Sequence, residues 1–193
     1  MTGQLSFPGL DTAQPPTDRV FFAIFPDADA AARIARLAQH LRGEHGLKGK
    51  PLAPERLHVT LHHLGDYVGL PRGVVAAARE AAAAVVRPPF DVTFDRVVSF
   101  GGSRNRPLVL CGGDGLAALT AFQQALGTAM AKAGLGRWAE PHFKPHVTLL
   151  YDNGGVAEQA VETIGWSVRQ FVLVHSLLGQ TRHVPLAHWP LRS

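Results

Sequence analysis

The tetrapeptide His-Val-Thr-Leu occurs twice in this chain of 193 residues, at 58–61 and at 146–149, 88 positions apart. The same succession of hydropathy patterns precedes each copy. In the first half an apolar run, Val20-Phe21-Phe22-Ala23-Ile24-Phe25, reads as a buried strand closed by Pro26. Asp27 then caps an alanine-rich helix to about Glu44, and a strand follows over 57–64. In the second half a strand at 108–111 leads into a helix from about Leu116 to Ala133 and a strand at 146–151. The offset also carries Phe21-Phe22-Ala23 onto Val109-Leu110-Cys111, so the opening strands are repeated along with the tetrapeptides. Such a chain is expected to fold as two duplicated α+β lobes that face one another.

The remaining segments complete the lobes. Ala76 to Val86 lies in a helix ended by Pro88-Pro89, Phe90 to Phe94 alternates as a half-buried strand, and 168–178 and 182–191 close the chain as strands. Residues 1–18 are polar, proline-bearing and aperiodic, and read as a flexible tail before a single bilobal domain over 19–193. Within the tail, Gln4-Leu5-Ser6-Phe7 looks like a shortened sliding-clamp docking peptide, a match expected by chance.

A hydrophobic fraction of 46% and a charged fraction of 18% are those of an ordinary globular enzyme and exclude disorder as the main state. No apolar stretch is long enough to span a bilayer, and the one cysteine, Cys111, cannot form an intrachain disulfide. A cytoplasmic, monomeric protein without membrane contact is the expectation, with Cys111 a buried, inert thiol. The net charge of +4 favours an anionic partner, and with lysine confined to Lys48, Lys50, Lys132 and Lys144 most of that charge is arginine.

Side chains two apart on a strand share a face, so His58 projects with Thr60 and His146 with Thr148, while the intervening valines point into the core. Two such strands in a cleft present two imidazoles and two hydroxyls to one substrate group, which suits phosphoryl transfer. One neutral histidine takes a proton from the attacking oxygen while the other, protonated, gives one to the leaving oxygen. Threonine hydroxyls donate to the nonbridging oxygens, where charge grows. A side chain titrating near 6.5 serves both roles around neutrality.

In these motifs the chain resembles the bacterial and archaeal 2′-5′ RNA ligase-like proteins, RNA 2′,3′-cyclic phosphodiesterases of the two-histidine phosphoesterase superfamily. The likeness is carried by Arg19 to Ile24, Leu57-His58-Val59-Thr60-Leu61 with Leu64-Gly65, Pro145-His146-Val147-Thr148-Leu149, and Trp166, Phe171, Ser176, Arg182, Pro185-Leu186 and Trp189. It implies an α+β fold of two pseudo-symmetric lobes, each mainly antiparallel sheet flanked by helices, around a central groove. It implies also that His58 and His146 are catalytic, that Thr60 and Thr148 bind phosphate, and that neither metal nor organic cofactor is needed. RNA or oligonucleotide 3′ ends bearing a cyclic phosphate are the implied substrate, a 2′-phosphomonoester the product, and 2′-5′ ligation the reverse reaction.

Three positions depart from the family. Tyr151 stands where many bacterial members carry a phosphate-holding arginine, His183 where a tyrosine is common and His63 where a phenylalanine is common. Lys144, two before His146, and Arg182, on the closing hairpin, are the candidate substitutes for the arginine. His62 reads as a groove-lining contact and His63 as a packed or edge residue; a zinc site built from His58, His62 and His146 is the less favoured use of the same side chains. Lys48-Gly49-Lys50 reads equally as a basic finger on the RNA backbone or as a solvated loop, and Arg104 and Arg106 as part of a turn or a phosphate clamp. The rival functions are a phosphodiesterase for small cyclic nucleotides or ADP-ribose cyclic phosphate, and an RNA-end binding module without turnover.

Overall fold

The apolar run that opens the first unit becomes β1 (Asp18–Ile24), between two other strands in its sheet, and it is apolar on both faces because Val20, Phe22 and Ile24 enter the main core while Phe21 and Ala23 enter a second cluster with Val172 and Val174. The computed structural model describes residues 14–102 and 104–193. After β1 come α1 (Ala28–Glu44), β2 (Val59–Tyr67), α2 (Arg72–Ala83), β3 (Phe90–Ser99), β4 (Arg106–Cys111), α3 (Ala117–Lys132), β5 (His146–Asp152), β6 (Gln159–Val168), β7 (Gln170–Leu177) and β8 (Arg182–Pro190). They form two antiparallel four-stranded sheets, in the orders β2-β1-β7-β8 and β5-β4-β3-β6. The expected α+β architecture is therefore present.

Helix α1 starts where the sequence places it, because the Asp27 carboxylate accepts the Ala30 N–H at 2.9 Å. Its apolar face carries Ile34, Ala38 and Leu41, all in the main core. The helix packs against β5 and β6 of the second sheet, where Arg33 donates to Glu162 and to the Thr163 carbonyl. Helix α3 lies on β3 and reaches across to β2, so each lobe is closed partly by the other's elements. One continuous apolar core, from Val20 and Phe22 through Phe94 and Leu110 to Phe171 and Leu173, joins the two sheets.

Two sequence expectations change. Asp18 belongs to β1 rather than to the tail: it is buried, its carboxylate accepts from His175 and from the Gly69 N–H, and the backbone of Thr17 is bonded to Tyr67 and Leu178. Most of the tail, with Gln4-Leu5-Ser6-Phe7, lies outside the described residues. Strand β6 has no counterpart in the expected elements. Its buried side chains Ile164, Trp166 and Val168 alternate, but the half-buried Val161 falls out of phase with them, and the pairing with β3 slips between Phe94 and Arg96. A bulge that breaks the two-residue period hides a strand from a periodicity reading.

The duplication is real in the pairing, with a correction to its register. Ala23 faces Thr60 across β1 and β2, and Val109 faces Thr148 across β4 and β5. The structural partner of Ala23 is thus Val109, not Cys111 as the constant offset had it. The difference is two residues, which preserves the face. Both pairs also carry a bulge at the equivalent place, between Phe22 and Ala23 opposite β2 and between Leu108 and Val109 opposite β5.

Candidate active site

Strands β2 and β5 are each the outer strand of their sheet, and the two edges meet at a groove of about 450 Å³. His58, at the threshold of β2, and Thr60 line it from one side, with His146 and Thr148 of β5 on the other. The structure therefore brings together the four side chains that the repeated motif singled out.

The two bulges determine what else reaches the groove. A strict period of two would aim His62 and Leu150 into it. Instead Leu61 with His62, and Leu149 with Leu150, are buried in succession, and the next groove-facing residues are His63 and Tyr151. The expected roles of the two adjacent histidines are thus exchanged. His62 is 1% exposed, its Nε2–H donates to the Gln123 carbonyl at 2.9 Å, and its Nδ1 accepts the Glu140 N–H at 3.1 Å. With both nitrogens engaged it cannot join His58 and His146 on a zinc ion. It ties α3 and the segment before β5 to β2; a Cβ at Gly127 of α3 would already crowd its ring at 3.1 Å. His63 is exposed, and its Nε2 bonds Asp66 at 2.9 Å.

The catalytic candidates are oriented identically. The Nδ1 of His58 lies 2.7 Å from the Arg56 carbonyl, and the Nδ1 of His146 lies 2.7 Å from the Lys144 carbonyl, in each case two residues back. A carbonyl only accepts, so Nδ1 carries the proton in both rings, and Nε2 is left as the nitrogen that exchanges protons with a substrate. The surroundings differ. His58 stacks on Phe21 with ring centroids 5.0 Å apart, over a small apolar cluster of Phe21, Ala23, Val172 and Val174, and meets His183 edge-on at 5.2 Å. Burial pushes its imidazole down to about 4; the bond to the Arg56 carbonyl opposes this, and the charges of His183, His146 and Arg56 add to it. His146 is braced edge-on by Phe100, with centroids 5.0 Å apart.

The cations that line the groove are not those singled out from the sequence. Lys144 and Arg182 are exposed and do not line the groove, nor do Arg104 and Arg106. Arg56 and Arg19 do. Arg19 is committed to Asp66 through two bonds of 2.7 Å, which hold the Asp66 carboxyl at about 2. Arg56 has no carboxylate partner among the described residues, and its Nε is buried without a hydrogen bond. The signal was present in the sequence: Arg56 precedes His58 by the same two residues that separate Lys144 from His146. His183, pushed down by burial and by Arg56 and Arg19, completes that wall with its Nδ1 buried and unpaired. Cys111 is half-buried with its thiol pushed up by burial, outside the groove lining.

Comparison with known proteins places this geometry. A family model described as the 2′-5′ RNA ligase superfamily matches residues 5–180. A protein of Escherichia coli strain K12 named RNA 2′,3′-cyclic phosphodiesterase is 30% identical over 184 residues, 90% of this chain and 96% of that one. A protein of the same name from Archaeoglobus fulgidus is 28% identical over 131 residues, 68% of this chain and 70% of its own. Among solved structures, E. coli LigT in its apo form superposes with a TM-score of 0.70 at 27% identity, over 93% of this chain and 100% of that one. A protein of Thermus thermophilus, at 22% identity and a TM-score of 0.71 over 90% and 98% of the two chains, shares the fold.

Proposed function

The chain belongs to the 2′-5′ RNA ligase superfamily, and from that premise we propose that it is an RNA 2′,3′-cyclic phosphodiesterase with His58 as base and His146 as acid. The observation that carries the assignment is the matched pair of imidazoles, each with Nδ1 tied to a carbonyl and both lining one groove with Thr60 and Thr148. Burial keeps His58 neutral near pH 7, which suits it to take a proton from water as the water attacks phosphorus. The P–O3′ bond breaks, His146 gives its proton to O3′, and the product keeps its phosphate on O2′. With a 5′-hydroxyl in place of water the same steps join a 2′-5′ linkage: the P–O5′ bond forms as His58 takes the hydroxyl proton, and the P–O3′ bond breaks as His146 gives its proton to O3′.

Thr60 and Thr148 donate to the nonbridging oxygens as charge develops there. The cationic contribution that many family members draw from the residue at the Tyr151 position is assigned to Arg56, since Arg19 is neutralised by Asp66. Arg56 lines the groove with no carboxylate partner among the described residues, so its terminal N–H groups are left to meet an anionic oxygen in the complex. Incubation in EDTA with an oligoribonucleotide ending in 2′,3′-cyclic phosphate, followed by location of the product phosphate, tests the reading. A 2′-phosphate formed without metal is the expected result; a 3′-phosphate or no reaction contradicts it.

A further inference from the structure

Tyr151 is the exposed aromatic of the groove wall. It is 44% exposed, and among the described residues it takes part in no ring contact. The basic loop before β2 runs directly along its backbone. The N–H groups of Lys48 and Gly49 both donate to Asp152 Oδ2 at 2.6 Å, and Leu52 N–H donates to the Leu149 carbonyl at 2.8 Å. The loop so covers the free edge of β5. A Cβ at Gly49 would fall 1.9 Å from the Tyr151 carbonyl oxygen, so a glycine is what permits this approach. Lys48 and Lys50 flank it, both exposed and neither in a salt bridge among the described residues.

An open aromatic ring in the groove wall, on a strand edge covered by a loop that carries two exposed lysines just outside the groove lining, is the chemistry of a single-stranded nucleic-acid subsite, a base stacking on the ring and a backbone phosphate meeting the cations. Tyr151 lies roughly 8–10 Å along the strand from Thr148, beyond the phosphate that the threonines would hold. A mononucleotide 2′,3′-cyclic phosphate has a single phosphate, and that one belongs between the histidines. The lysines require a second. We propose that this rim binds the nucleotide adjoining the reactive end, its base on Tyr151 and its phosphate at Lys48 and Lys50. The preferred substrate is accordingly an oligonucleotide, a specificity that presupposes the cyclic phosphodiesterase reading.

The test compares kcat/KM for 2′,3′-cyclic AMP and for a short oligoribonucleotide ending in 2′,3′-cyclic phosphate, with anisotropy binding of an oligoribonucleotide ending in 2′-phosphate as a readout independent of turnover. Wild type should favour the oligonucleotide. Tyr151→Ala should lower the ratio of oligonucleotide to mononucleotide kcat/KM about tenfold, through KM, and weaken oligonucleotide binding by a similar factor, the scale of one lost base stack. Tyr151→Phe should retain both. Replacing Lys48 and Lys50 together by alanine should lower the same ratio and flatten the salt dependence of binding. If the ratio and the binding stay at wild-type values in Tyr151→Ala and in the double lysine variant, the subsite is wrong while the phosphodiesterase reading stands. If wild type hydrolyses neither substrate, that reading fails, and the binding of the variants still decides the subsite.

Discussion

Two histidines with the same backbone tether sit in unlike surroundings, and that difference sets the residue-scale predictions. His58→Ala and His146→Ala should each reduce turnover about 100-fold or more with the fold intact by circular dichroism, because each removes one half of a proton relay. The acid limb of kcat/KM, which reports the free enzyme, should lie well below the ordinary histidine value of about 6.5, since burial holds His58 at about 4. The same depression acts on stability. As pH falls from 6.5 toward 4, His58 takes up a proton in the unfolded chain before it does so in the folded one. Its contribution is whole above 6.5 and is lost across that window. Urea unfolding at pH 7 and pH 4.5 should show wild type losing about 2 kcal/mol more than His58→Gln does. At the phosphate, Arg56→Ala should weaken competitive inhibition by a phosphorylated product more than Lys144→Ala or Arg182→Ala, which lie outside the groove lining.

At the scale of elements, the matched bulges in β2 and β5 separate the groove-lining His58 and His146 from the buried residues that follow them. His62, buried and bonded at both nitrogens, fastens β2 to α3 and to the approach to β5. His62→Ala should therefore destabilise the protein by about 2–3 kcal/mol in thermal or urea unfolding, the cost of leaving a buried carbonyl and a part-buried N–H unpaired. The adjacent His63→Ala should change stability by less than about 1 kcal/mol, as an exposed partner of Asp66. Two neighbours of the same type in the same strand then differ for a reason that their spacing alone does not contain. Strand β6 escaped notice for a related cause: one slip in register against β3 moves Val161 out of phase with the apolar residues beyond it.

For the whole molecule, the two edge strands work because the helices exchange lobes and a single apolar core holds both sheets in place. No helix among the described residues is long and apolar enough to cross a membrane. The repeated tetrapeptide, the matching strand-helix-strand patterns and the Asp27 cap were legible in the chain itself, since they depend on residue type and local period. They were enough to determine two α+β lobes and to single out four side chains that the fold brings to one groove. Which of His62 and His63 enters the groove, and which cation stands in it, was decided only in the folded protein. A bulge shifts every later side chain to the other face, and Arg56 and Lys144, equivalent in spacing, part company because one lines the groove with His58 and His183 while the other is left in solvent.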